Sequence, residues 1–444
     1  MLVIRGHRVI LPDREAPASI HIEGGRITRV ALYEDAPPAA EIVEVGELVV
    51  APGLVDPHVH VNEPGRSEWE GFDSATRAAA AGGVTTIVDM PLNSVPPTTA
   101  RPALEQKQHA ALGKCHVDVA FWGGVVPGNE HELPGLLEGG VRGFKCFLAP
   151  SGVEEFACVS EADLRRALGV LSRAAPIGSV PLLVHAEDPA RIRKPSGDSR
   201  CYATYLQTRT ASAEVAAIEM IARLAREYHV PTHVVHVSSE AGVEAVARAR
   251  SSGSPITAET CPHYLTFDAD EVPEGATAFK CAPPVRDGAN REALWRALAQ
   301  GTCDVVASDH SPAPAALKCI DSGDFIAAWG GIASLQLSLA AVWTGATAHG
   351  LGVCDVVRWM SEAPARLSGL LQRKGAIRPG ADADVIVWDD RARVTVEAER
   401  LQQRHKLTPY LGRSLQGVVR STYVRGQLVW HDGTLAHPRC GLLL

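Results

Sequence analysis

From about residue 51 to 366, short apolar, β-prone runs alternate with amphipathic stretches. The apolar runs are Leu54–Val61, Val84–Asp89, Val117–Phe121, Val141–Phe147, Leu182–His185, Thr232–Val237, Ile256–Thr260 and Val305–Ala307. Stretches with helical spacing of apolar positions lie between several of them, among them Glu161–Arg173, Ala213–Glu227, Glu240–Arg250 and Arg291–Ala299. Eight β units separated by helices predict an α/β fold, a (β/α)8 TIM barrel over residues 51–366. The flanks read differently: residues 1–50 and 367–444 are short β-like pieces punctuated by turns such as Gly24-Gly25, with Ala383–Trp388 and Tyr423–Val429 matching the opening segment in texture. The two flanks are expected to join in one small β-sandwich domain.

The apolar runs do not end at random. Five close on or just beyond a residue able to bind a metal: His58 and His60, Lys145, His185, His236 and Asp309. A barrel of this kind builds its active site at the C-terminal ends of its strands. His58 and His60 stand two apart, so on a strand they share a face and can chelate one cation. His233 and His236 are three apart and should face opposite ways, which favours His236, nearer the strand end. By the same rule His310 points away from Asp309 and reads as structural or supporting; His263 has no assigned role, a structural one being favoured.

Lys145 sits among Phe144, Cys146, Phe147 and Leu148, where an unpaired ammonium is costly. Carbamylation by carbon dioxide converts it to an N-carboxylate that can bridge two cations. Four imidazoles, a carbamate and Asp309, with no thiolate among them, suit two divalent ions: zinc first, cobalt or manganese also.

Composition narrows the partners. The net charge is −8 without long single-sign blocks, which argues against nucleic acid and for a small-molecule substrate. Ten cysteines occur with no CxxC pair, as in a reduced cytoplasmic protein. No signal-peptide core follows Met1, and the uncharged stretch Trp329–His349 reads as a buried barrel helix in preference to a membrane span. GxGxxG, GxxxxGK[ST], HExxH and GxSxG are all absent, which removes dinucleotide, phosphate-loop and serine-nucleophile chemistry.

These residues, in this order, resemble the amidohydrolase superfamily and within it the cyclic amidohydrolases: hydantoinases, dihydropyrimidinases, dihydroorotases and allantoinases. Pro52–His60 and Pro379–Val385 look like the superfamily's two flanks. The resemblance implies that His58, His60, Lys145, His185, His236 and Asp309 are the ligands of a binuclear centre. Dihydroorotases place an arginine and a histidine where this chain has Asn62 and Ala313, which removes the charges a carboxylated ring needs. Asn62–Arg66 with Trp69–Phe72, Met90–Asn93, Gly143–Phe147, Ser308–Pro312, Ala328–Gly331 and His405–Arg413 are similar to the allantoinase branch. No tyrosine of the hydantoinase kind follows Lys145.

Hydrolysis of allantoin to allantoate is the implied activity, with Asp309 as general base and then acid. The rivals are a broad-specificity hydantoinase or dihydropyrimidinase, or a non-catalytic scaffold. Neutral polar groups, Asn93 and Ser311 first, are expected to contact the substrate, although both also suit turns beside prolines. Related enzymes suggest a homo-oligomer, a tetramer or a dimer.

Overall fold

The computed structural model describes residues 1–174, 179–436 and 439–444. Its strands in chain order are β1 (Leu2–Ile10), β2 (Glu15–Glu23), β3 (Arg26–Ala31), β4 (Glu41–Glu44), β5 (Val49–Pro52), β6 (Leu54–Val59), β7 (Val84–Asp89), β8 (Asp118–Phe121) and β9 (Gly123–Gly124). They continue with β10 (Phe144–Phe147), β11 (Leu182–His185), β12 (Thr232–Val234), β13 (Ile256–Thr260), β14 (Val305–Val306), β15 (Val385–Thr395), β16 (Ser414–Val424), β17 (Gln427–His431) and β18 (Thr434–Leu435).

The central strands pair only in parallel, β6-β7-β8 and β9-β10-β11-β12-β13-β14. Strands β8 and β9 form one line interrupted at Trp122, and the seam beside it is stitched by Arg142 N–H to Phe121 O and Gly123 N–H to Gly143 O, both 2.9 Å. The last strand returns to the first: Val59 bridges His310 in parallel, and His60 N–H donates to His310 O at 2.9 Å. Helices follow the strands, including Phe72–Ala81, Arg101–Ala111, Glu161–Ala174, Ala211–Tyr228, Glu240–Ser251 and Gly288–Gln300. Local chemistry starts and stops them. Ser239 caps Glu240–Ser251 through Gly242 N–H, Asp287 caps Gly288–Gln300 through Asn290 N–H, and Gly301 ends that helix at φ 75°.

Inside the ring, Val88, Met90, Ala120, Trp122, Phe147, Leu183 and Val235 pack together, and Trp122 Nε1–H donates to Pro57 O at 2.7 Å. The stretch Trp329–His349 is only partly helical: the α-helix covers Ser338–Ala348, and Trp329–Gly331 instead line a cleft. Among the described residues no helix is long and apolar enough to cross a membrane.

Both flanks enter one nine-stranded sheet, ordered β18-β17-β16-β15-β5-β1-β2-β3, with β4 also on β1. Its centre is the antiparallel pairing of β5 with β15, Pro52 opposite Val385. The sheet and the parallel ring meet at Gly53, whose N–H donates to Asp384 O at 2.9 Å. A Cβ there would lie 2.2 Å from Thr85 Oγ1, so only glycine lets the two layers approach this closely.

Candidate metal centre

His58, His60, His185, His236 and Asp309 lie at or just beyond the C-terminal ends of the parallel strands and Lys145 lies within β10, and all six are buried. His58 Nε2 and His60 Nε2 stand 3.1 and 3.4 Å from Asp309 Oδ1, and His185 Nδ1 is 3.0 Å from His236 Nε2. His58, His236 and Asp309 bring their ligand atoms within 4.8 Å of one another. Among the described residues, Lys145 Nζ is fully buried without a hydrogen-bond partner, 5.0 Å from the Phe147 ring centroid, and His236 Nδ1 is also unpartnered. A buried amine and imidazole left unsatisfied in a ring of imidazoles and a carboxylate fit divalent cations, because each orphan gains a partner when a cation binds.

Electrostatics prepare the same groups. Burial brings the Lys145 ammonium down to about 8, against the pull of Glu259 and Asp309, towards the neutral amine that reacts with carbon dioxide. Burial lowers His60 to about 4 and holds His185 and His236 well below the ordinary imidazole range, so they present lone pairs. Burial would lower His58 too, but the carboxylates of Asp309 and Glu259 lift it to about 9. Burial works to raise Asp309; His58 and His60 outweigh it and keep the carboxylate ionised.

The supporting residues were not evident beforehand. Glu259, fully buried in β13, meets His58 Nδ1 with one oxygen and His233 Nε2, at 3.1 Å, with the other. It leaves His58 Nε2 free for the centre. Glu187 Oε2 lies 2.7 Å from His185 Nε2 and also pairs with Arg209, which turns His185 Nδ1 towards His236. Asp56 accepts the backbone N–H groups of His58 and Ser308. A charged residue inside an apolar strand was the available signal, the one that singled out Lys145.

His233 and His236 correct the facing rule. His233 is in register with Leu183 and therefore shares the inward face with Lys145. His236 also reaches the centre because β12 has ended and its φ is 42°, which swings the side chain inward. Asn62, Asn93 and Asp309 also have φ values between 44° and 66°, so non-glycine residues in the left-handed region gather around the site.

His310 is fully buried, and its Nδ1 accepts from Ser334 and Leu335 N–H. Among the described residues, His263 is buried with both ring nitrogens unpartnered, and with Cys261 it lies within 4.8 Å of Asp309. A thiol is thus nearer than the donor set read from sequence implied, but burial holds Cys261 protonated.

A cleft of about 400 Å³ opens on His58, His60, His185, His236 and Asp309, with Asn93 and Ser311 in its wall. Asn93 Nδ2 is 3.4 Å from His60 Nδ1, and Ser311 Oγ donates to Asp309 Oδ1 at 3.1 Å. The expected neutral lining is only half of what is there: Arg193, Arg209 and Lys280 line the cleft too. The Lys280 charge is absorbed by the carbonyls of Ile326 and Ala328.

The model of the amidohydrolase family matches residues 49–429. The chain is 48% identical to an allantoinase of Streptomyces avermitilis, covering 100% of this chain and 98% of that one. It is 42% identical to an allantoinase of Arabidopsis thaliana, over 99% and 90% of the two. Among solved structures it is similar to the L-hydantoinase (dihydropyrimidinase) of Arthrobacter aurescens, with a TM-score of 0.93, 30% identity and coverage of 100% and 99%.

Proposed function

The chain belongs to the amidohydrolase family, and on that premise we propose that it is an allantoinase, opening the cyclic amide of allantoin to allantoate. The observation that carries the reading is the whole-length match to allantoinases at 48% and 42% identity, against 30% for the hydantoinase structure. The scaffold alternative is disfavoured by the intact ligand positions. In the same reading, residues 51–366 form a (β/α)8 TIM barrel, supported by the parallel ladder and its closure at Val59 and His310. The single nine-stranded sheet to which both flanks contribute supports assigning residues 1–50 and 367–444 to one β domain, read as the β-sandwich. Ten free cysteines support a reducing, cytoplasmic setting, and kinship supports a dimer or tetramer.

Within this proposal His58, His60, Lys145, His185, His236 and Asp309 hold two divalent cations, zinc before cobalt or manganese. Bound there, the cations supply Lewis acidity and bring the pKa of a water from about 15.7 towards about 7. Lys145 takes up carbon dioxide at its neutral Nζ, loses a proton and becomes an N-carboxylate, which ends its isolation. Glu259 and Glu187 hold His58 and His185 by the ring nitrogen each does not need. Asp309 accepts the proton of the water that adds to the ring carbonyl carbon, and Ser311 steadies the carboxylate. As the carbon–nitrogen bond breaks, Asp309 returns that proton to the departing ring nitrogen, leaving the open-chain carboxylate.

The test is allantoate formation by protein produced with divalent metal and bicarbonate, set beside hydantoin, dihydrouracil and dihydroorotate, with Asp309→Asn as control. Turnover of allantoin that Asp309→Asn abolishes is expected. Turnover of hydantoin or dihydrouracil with allantoin untouched would replace the substrate assignment.

A further inference from the structure

Allantoin differs from hydantoin by a ureido arm on the ring carbon bonded to the scissile carbonyl carbon. The arm's carbonyl is only three bonds from the reacting atom. Whatever places the ring amide at the metal ligands must therefore place the arm against a wall close to them. Lys280 has given its Nζ to Ile326 and Ala328, and Asn93 lies beside His60. Arg193, at the mouth, is exposed.

Arg209 is different. It lies just before the helix Ala211–Tyr228, lines the cleft and retains 18% side-chain exposure. Among the described residues its guanidinium has one hydrogen-bond partner, Glu187 Oε2, the oxygen that also faces His185. A guanidinium carries five donors, so several remain uncommitted beside the ligand His185.

Resting on the allantoinase reading, we infer that Arg209 is a specificity-determining residue: its free N–H groups hold the carbonyl of the ureido arm while its other arm stays on Glu187. The fork geometry matters, since one branch fixes the residue and another meets the substrate. Lysine at this position can keep the ion pair, but its donors sit on a single nitrogen and lack the separate, fixed branches of the guanidinium that would meet carboxylate and carbonyl at once. The arm then selects allantoin over plain hydantoins through donors that only an armed substrate satisfies.

The experiment measures KM and kcat for allantoin, and KM or competitive Ki for hydantoin, in wild-type and Arg209→Lys enzyme, with bound metal counted by emission spectroscopy. The expected result is an allantoin KM raised on the order of tenfold to a hundredfold. Hydantoin affinity and metal content should stay within about twofold of wild type, the size of change expected where no hydrogen bond is lost. Equal losses on both ligands, or a fall in metal content, would overturn the inference and make Arg209 a support for Glu187 alone. An unchanged allantoin KM would overturn it as well. If Arg209→Lys fails to fold, Arg209→Gln is read by the same ratio. Wild-type enzyme that turns over hydantoin but not allantoin would fail the substrate reading itself, a result distinct from a wild type that prefers allantoin and an indifferent variant.

Discussion

Among the lysines buried close to charged groups, Lys374 and Lys145 behave in opposite ways. Lys374, below the parallel ring, donates to Asp118 and Asp384 at 2.6 Å each and lies 3.0 Å from Asp382. Arg425 closes the group by pairing with Asp118 and sending its backbone N–H to Asp384. Burial would lower Lys374, but the carboxylates of Asp384 and Asp118 outweigh it and raise its pKa. Lys145, in the upper part of the same ring, has no hydrogen-bond partner among the described residues, and burial wins. Three acidic side chains meet the lower lysine directly, whereas the upper one faces imidazoles. A buried cation with every donor answered is a fastening; one left unanswered is reserved for a later arrival.

That contrast can be broken by experiment. On the proposed reading of Lys145 as a bridging ligand, Lys145→Met should cut kcat for allantoin by about a thousandfold or more, with loss of bound metal. Calorimetry on the metal-free proteins should find the variant at least as stable as wild type, since an unpaired buried charge has been removed; a large drop in its melting temperature would make Lys145 another fastening. Lys374→Met should show the reverse, losing about 3–5 kcal/mol in denaturant titration because it strands buried carboxylates. Turnover per folded molecule should be unchanged, and a collapse in kcat without loss of stability would erase the distinction. Glu259→Gln tests the support beneath His58 and should weaken metal retention about ten- to a hundredfold in chelator competition. Asn93→Ala is the finest probe: an allantoin KM raised only about fivefold is expected for one lost neutral hydrogen bond.

Much of this arrangement was legible in the chain. Eight apolar runs became the parallel strands because strands covered on both faces read as continuous apolar segments, and a charged or imidazole residue in or just after such a run, as with Lys145 and His185, stands out. The boundaries were less so: β12 ends at Val234, three residues before the expected limit, and β10 begins three residues late. His236 reached the centre through a left-handed backbone at a non-glycine residue, which no spacing rule anticipates. Glu259 and Asp118 went unremarked although each puts a carboxylate into an apolar strand. Alternation reveals which face a residue takes, but its partner across the ring is fixed by closure. Arg209 and Glu187 lie beyond strand ends, where no periodicity helps.

The pairing of β5 with β15 also bears on how the molecule is made. Pro52 and Val385 sit opposite each other. At ribosomal speeds of about 5–20 residues per second, Pro52 waits roughly 20–70 s before Val385 exists. Throughout that interval β5 has an unpaired edge, and the sheet that carries the metal-binding ring can only be completed once nearly all of the ring has been translated. The earliest strands of this protein are therefore the ones exposed longest to misassociation, and it is during biosynthesis, more than in the finished enzyme, that chaperones would find their substrate.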